Sequence, residues 1–231
     1  MSTLKSLSNR QIALATGISI VLMAVLAGMV MGMVHTPLIV PENPSLTYGN
    51  LISQTTTFRM GILGWTGILI TDIIAAWGLY LYFKPRNNSL SLLAGWFRLA
   101  YAAILGFAIV QLIIVVLLTQ TGTGWLENPG EKEFLTMLFL NGFQSTWSFG
   151  LIIFGLHLLI LGWLVWSDKL ILKILSVLIL ISAVGYLLTN TLNILMPDYE
   201  TIKPTLETVF MLPMVLGEVG LAIWLIIKGG K

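Results

Sequence analysis

The chain has no cysteine, which excludes disulfides and thiolate metal sites and leaves its redox compartment unmarked. Charge is nearly as scarce, since only 10% of the 231 residues are Asp, Glu, Lys or Arg. Soluble domains carry about 25%. A chain that is 57% hydrophobic cannot cover itself in water with so few polar groups, so a membrane protein is expected. A basic patch is also missing: the net charge of +2 is spread singly between apolar runs, which argues against a nucleic-acid partner. Most catalytic templates fail for want of residues. There is no Gly-x-Ser-x-Gly, no phosphate loop, and no second membrane histidine for a multi-histidine zinc hydrolase.

What is present is six long apolar runs, at about 11–34, 58–83, 90–119, 134–166, 170–195 and 205–227. Each is near or above the ~20 residues that a helix needs to cross the hydrocarbon. The expected fold class is therefore an all-α bundle of six transmembrane helices, forming a single integral-membrane domain over 1–231. The fourth run is too long for one straight span, and it is expected to begin as an outer segment near Phe134–Phe143 before crossing from about Thr146 to Trp166. The first run follows Lys5 and Arg10 as a signal peptide would, but it is too long for a signal core and no cleavage site follows Met33. Gly28 and Gly32 within it have the spacing of a close helix contact.

Charge placement sets the orientation. Lys5, Arg10, Lys84, Arg86, Lys169, Lys173, Lys228 and Lys231 fall on one side of a six-span arrangement, opposed only by Asp168. Glu42, Glu127, Glu131, Glu133, Asp198, Glu200 and Glu207 fall on the other, with Lys132 and Lys203. The positive-inside rule then makes both termini cytoplasmic. Trp77, Tyr80, Tyr82, Trp163, Trp166 and Trp224 gather towards the same side, as an interfacial aromatic belt does. Two longer outer loops, His35–Thr57 and Gln120–Lys132, are rich in Pro and Gly, with Gly122 and Gly124 in the second, and could cover a vestibule. An ungapped shift also lays the second and third runs on the fourth and fifth. It pairs Phe58 with Phe143, Asp72 with His157, Ser91 with Ser176 and Tyr101 with Tyr186, as a parallel repeat would.

Four ionisable residues interrupt the runs at one depth. Asp72 lies twelve residues before Lys84, His157 eleven before Asp168, Glu218 ten before Lys228, and Arg98 nine after Ser89. At 1.5 Å per residue each sits roughly 13–18 Å from the basic side, near the middle of the bilayer. Such groups are expected to face inward and pair, because Asp or Arg at a helix centre costs about 2.5–3.5 kcal/mol. One arginine against two acids leaves a surplus carboxylate, either protonated or paired with a charged His157. Arg59, Gln111, Asn141, Gln144, Ser148, Asn190 and Asn193 lie further out and are expected to line an outward-opening cleft, although Arg59 could instead snorkel to the surface. Pro213, five residues before Glu218, could open a kink beside the acid.

These residues leave three readings open. The first is a small carrier or ligand- and proton-responsive protein with its site at Asp72, Arg98, His157 and Glu218. The second is a non-transporting partner or lipid-binding subunit whose ion pairs are structural. The third is an intramembrane hydrolase or metal enzyme. The enzyme reading is the least favoured, and no cofactor is expected. His157, Asp72 and Glu218 would reach the minimum for zinc, whereas His35 lies too near an outer end to share a haem iron with His157. The expected partners are the bilayer and a small-molecule or lipid ligand. Phe58-Arg59, Trp96-Phe97-Arg98-Leu99-Ala100-Tyr101-Ala102, Phe154-Gly155-Leu156-His157-Leu158-Leu159 and Gly217-Glu218-Val219-Gly220-Leu221-Ala222 resemble the domain-of-unknown-function 4386 family of bacterial multi-pass membrane proteins. The resemblance spans about 10–228 and implies a bacterial inner membrane but no activity.

Overall fold

Asparagine and serine set the starts of several helices. Ser8 and Gln11 form a reciprocal capping box ahead of α1, which runs Asn9–Leu38. The Asn43 side chain accepts from Leu46 N–H at 3.0 Å to open the short α2, Pro44–Ser53. Helix α3 covers Thr55–Phe83, and α4, Asn88–Thr119, is capped by Asn87. Asn128, followed by Pro129 at the first helical position, starts α5, Pro129–Val165. Helices α6 and α7 are Leu170–Leu195 and Tyr199–Ile227. The computed structural model describes residues 7–120 and 128–231, among which there is no strand. Lys5, Glu127, Gly122 and Gly124 lie outside the described residues.

Among the described residues, six of seven helices are long and apolar enough to span a membrane. They run up and down, each packing on its chain neighbour, and α7 returns to α1 to close a ring. Arg10 fastens the closure by donating to the carbonyl oxygens of Leu225 at 3.1 Å and Gly229 at 3.0 Å, so both termini lie at one end. Glycines make close approaches on this side of the ring as they do elsewhere in it. A Cβ at Gly17 would sit 2.7 Å from the Ala222 carbonyl oxygen of α7, and one at Gly78 would sit 2.0 Å from Thr16 Oγ1 of α1. Gly28 and Gly32 meet nothing within 4 Å, so the expected contact at that pair is corrected. Both glycines are exposed, on a face of α1 that no other helix covers.

Three other expectations change. The fourth span is one continuous helix of 37 residues, without a break near Thr146, so its outer turns extend past the hydrocarbon. The last helix starts at Tyr199 rather than near 205, continuing through Pro204. Part of the loop after His35 folds as α2, which packs on α3, α4 and α5. Inside α1, Met31–His35 winds as a π turn, the Thr36 N–H reaching back to the Met31 carbonyl. Pro37 accounts for it: its ring would crowd the Met33 carbonyl and it has no N–H to donate, and a wider turn relieves both.

Charge is segregated between the two ends. The end with the termini holds Arg10, Lys84, Arg86, Lys169, Lys173, Lys228 and Lys231 against Asp168. The opposite end holds six described carboxylates, Glu42, Glu131, Glu133, Asp198, Glu200 and Glu207, against Arg59, Lys132 and Lys203.

Candidate functional site

Arg98 occupies the centre of the ring with its side chain fully buried. Helix α3 brings Asp72, α5 brings His157, α7 brings Glu218 and α1 brings Met23. Arg98 Nε donates to Asp72 Oδ1 at 2.9 Å, and Nη2 lies 2.7 Å from the same oxygen. Nη1 donates to Glu218 Oε1 at 2.8 Å and meets His157 Nε2 at 3.2 Å. Nη2 also reaches Met23 Sδ at 3.5 Å, and the guanidinium lies over the Phe154 ring, 5.1 Å from its centroid. A guanidinium has five N–H groups; four of these contacts are hydrogen bonds, and the approach of Nη2 to Asp72 is a charge contact beside them.

The histidine's protonation follows from its partners. His157 Nδ1 lies 2.9 Å from the Ala94 carbonyl oxygen, which only accepts, so Nδ1 carries the proton. Arg98 Nη1 only donates, so Nε2 is the acceptor and the ring is neutral. The expectation that a charged His157 pairs with the surplus acid is therefore corrected: both carboxylates turn to Arg98. The two acids are held differently. Asp72 is wholly buried and its Oδ2 has no partner. Glu218 makes one bond through Oε1, and its side chain keeps 12% of its exposure. Among the described residues no three metal-ligating side chains converge, because Arg98 stands between Asp72, His157 and Glu218.

A cleft of about 560 Å³ opens at the end away from the termini, between α1, α5, α6 and α7. Asn141, Gln144, Asn190 and Asn193 line it, together with Ser148. Ser148 Oγ donates to Asn190 Oδ1 at 2.9 Å and accepts from Asn193 Nδ2 at 3.0 Å, which ties α5 to α6. Two residues expected there are elsewhere. Arg59 is exposed and does not line the cleft, because its neighbour Phe58 faces the core and one residue turns the helix face by about 100°. Gln111 donates to Thr146 Oγ1 at 2.7 Å and lies over Gly142, between α4 and α5. A second crevice, about 610 Å³ between α4 and α5, is lined by Phe107, Phe149 and other apolar groups with Ser145 and Thr146. None of Asp72, Arg98, His157 and Glu218 lines it.

The sequence reading missed an aromatic wall. His35, Trp65, Phe143 and Trp147 pack with ring centroids 4.9–6.1 Å apart, and all but Trp65 line the cleft. Trp65 Nε1 donates to His35 Nε2 at 3.2 Å, and Trp147 Nε1 donates to Tyr101 Oη at 3.2 Å. The π turn sets His35 into this wall, yet only Pro37 hinted at that turn. Towards the charged residues the cleft ends at Leu151, Tyr186 and Met214. Tyr186 meets Phe154 edge-on at 5.3 Å, and Met214 is one turn before Glu218.

The pattern of the family described as "Domain of unknown function (DUF4386)" matches residues 15–229. An uncharacterized protein of the archaeon Archaeoglobus fulgidus is 30% identical over 170 residues, 74% of this chain and 84% of that protein. Similarity to this chain therefore extends beyond the bacterial setting that the sequence resemblance implied. No solved structure matches.

Proposed function

We propose that this chain, which belongs to the DUF4386 family, is a small membrane carrier or ligand-responsive protein whose ligand enters the cleft and whose buried charges hold an exchangeable proton. The observation that carries this reading is two carboxylates sharing one guanidinium behind the Tyr186 and Phe154 rings at the inner end of the cleft, with His157 neutral. With both acids ionised the cluster would hold a net negative charge in a dry layer, so charge balance calls for a proton or a cationic ligand. Glu218 is the group proposed to exchange that proton, because it has one hydrogen bond from Arg98 and a partly exposed side chain. Asp72 takes a hydrogen bond from Nε and a close charge contact from Nη2 on one oxygen and is the fixed partner. His157 orients the guanidinium. The positive-inside rule supports both termini lying in the cytoplasm, with the cleft facing outward across the plasma membrane.

Infrared difference spectra between acid and alkaline buffers test the exchanger without knowledge of the ligand. A carboxylic acid band that appears with acid in the wild type and is lost in Glu218→Gln is the expected result. No such band, or one unchanged by Glu218→Gln, would refute the assignment. The four hydrogen bonds that Arg98 makes to four other helices also favour a second reading, in which the cluster only staples the helices. On that reading the triple variant Asp72→Asn, Arg98→Leu, Glu218→Gln would keep the protein's activity as well as its fold.

A further inference from the structure

We infer that the cleft takes an organic cation, an amine or quaternary ammonium carried on an apolar body, which identifies the ligand class of the carrier reading and rests on it. The lining decides the sign. Among the described residues Lys203 is the only lysine or arginine in it, and its Nζ is already 3.1 Å from Glu200 Oε1. Glu207 shares the lining with no cation left to answer it. The cleft opens at the end where described carboxylates outnumber cations two to one, which concentrates cations at the mouth. It ends beside a cluster with one more carboxylate than cations. An anion would find no free partner along this path.

The walls decide the body. Phe143, Trp147, Tyr186 and Tyr199 line the cleft, and Phe143 and Trp147 are held by ring contacts with Trp65. Aromatic faces attract cations whose charge is spread over methyl or methylene groups, above all when the rings are fixed beforehand. A bare metal ion instead needs six or more oxygen ligands, and among the described residues no three acidic or histidine side chains gather to hold one in this lining. Asn190 and Asn193 are engaged with Ser148, which leaves Asn141 and Gln144 as amides for any polar arm of the ligand.

The absence of cysteine gives a direct test. Asn141→Cys places one thiol in the lining of an otherwise thiol-free protein, and its maleimide labelling is followed in the purified full-length chain. Tetraphenylphosphonium is expected to slow labelling, whereas tetraphenylborate, of the same shape and opposite charge, leaves the rate unchanged. Adding Glu207→Gln should raise the phosphonium concentration needed by roughly fivefold, the weight of one rim charge. No labelling at all would show that the cleft is closed and would overturn the carrier reading together with this one. Labelling with no protection, or with equal protection by both probes, would overturn the cation assignment alone.

Discussion

An arginine buried among apolar helices has five N–H groups to satisfy and no means of losing its charge, and Arg98 makes four hydrogen bonds to side chains of four other helices. Its value depends on the partners. Arg98→Leu alone leaves Asp72 and Glu218 buried without a counter-ion and should lower stability by about 3–5 kcal/mol. Neutralising both acids in the same protein should restore most of that loss, and thermal unfolding in detergent compares the two. His157→Phe removes an acceptor from Arg98 and a donor from the Ala94 carbonyl, at a cost of about 1–3 kcal/mol by the same measurement. Asp72, Arg98, His157 and Glu218 were legible as a group because ionisable residues in apolar runs stand out and depth follows from counting. Which way each side chain turns was not, since helix rotation is set by packing. That is why Arg59 and Gln111 were assigned to the cleft while His35, Phe143 and Trp147, ordinary core residues by composition, were passed over.

Helix contacts in this molecule depend on where chains approach closely rather than on glycine spacing. Gly17→Ala would press a methyl against the Ala222 carbonyl and should destabilise by about 1–3 kcal/mol, whereas Gly28→Ala meets open space and should gain up to about 1 kcal/mol of helix propensity. Unfolding of the two purified variants separates them. The six spans were readable from hydropathy, because length and apolar composition are all that crossing a bilayer demands. The unbroken α5 and the π turn were not, since both arise from neighbours: α5 rests on α2, and the turn answers Pro37. Pro37→Ala should let α1 wind regularly and swing His35 out of the wall, which would show as lost Trp65 quenching in a variant keeping Trp65 as its only tryptophan.

The whole molecule is a ring whose first and last helices meet through Arg10. Arg10→Gln should cost about 1–2 kcal/mol, the share of charge-assisted bonds to carbonyls in a partly exposed place. A C-terminal fluorescent reporter should glow and a C-terminal phosphatase reporter should be silent if the basic end faces the cytoplasm; the reverse would invert the cleft. Closure also imposes an order on biogenesis. Asp72 and Arg98 stand in successive spans and can enter the bilayer as a hairpin, each cancelling the other's charge. Glu218 emerges from the ribosome only after five spans are made, so the sixth must be threaded against a cation already in place. Until then the gap that α7 will fill stands open, and Arg98 holds only the partners that the first five spans bring.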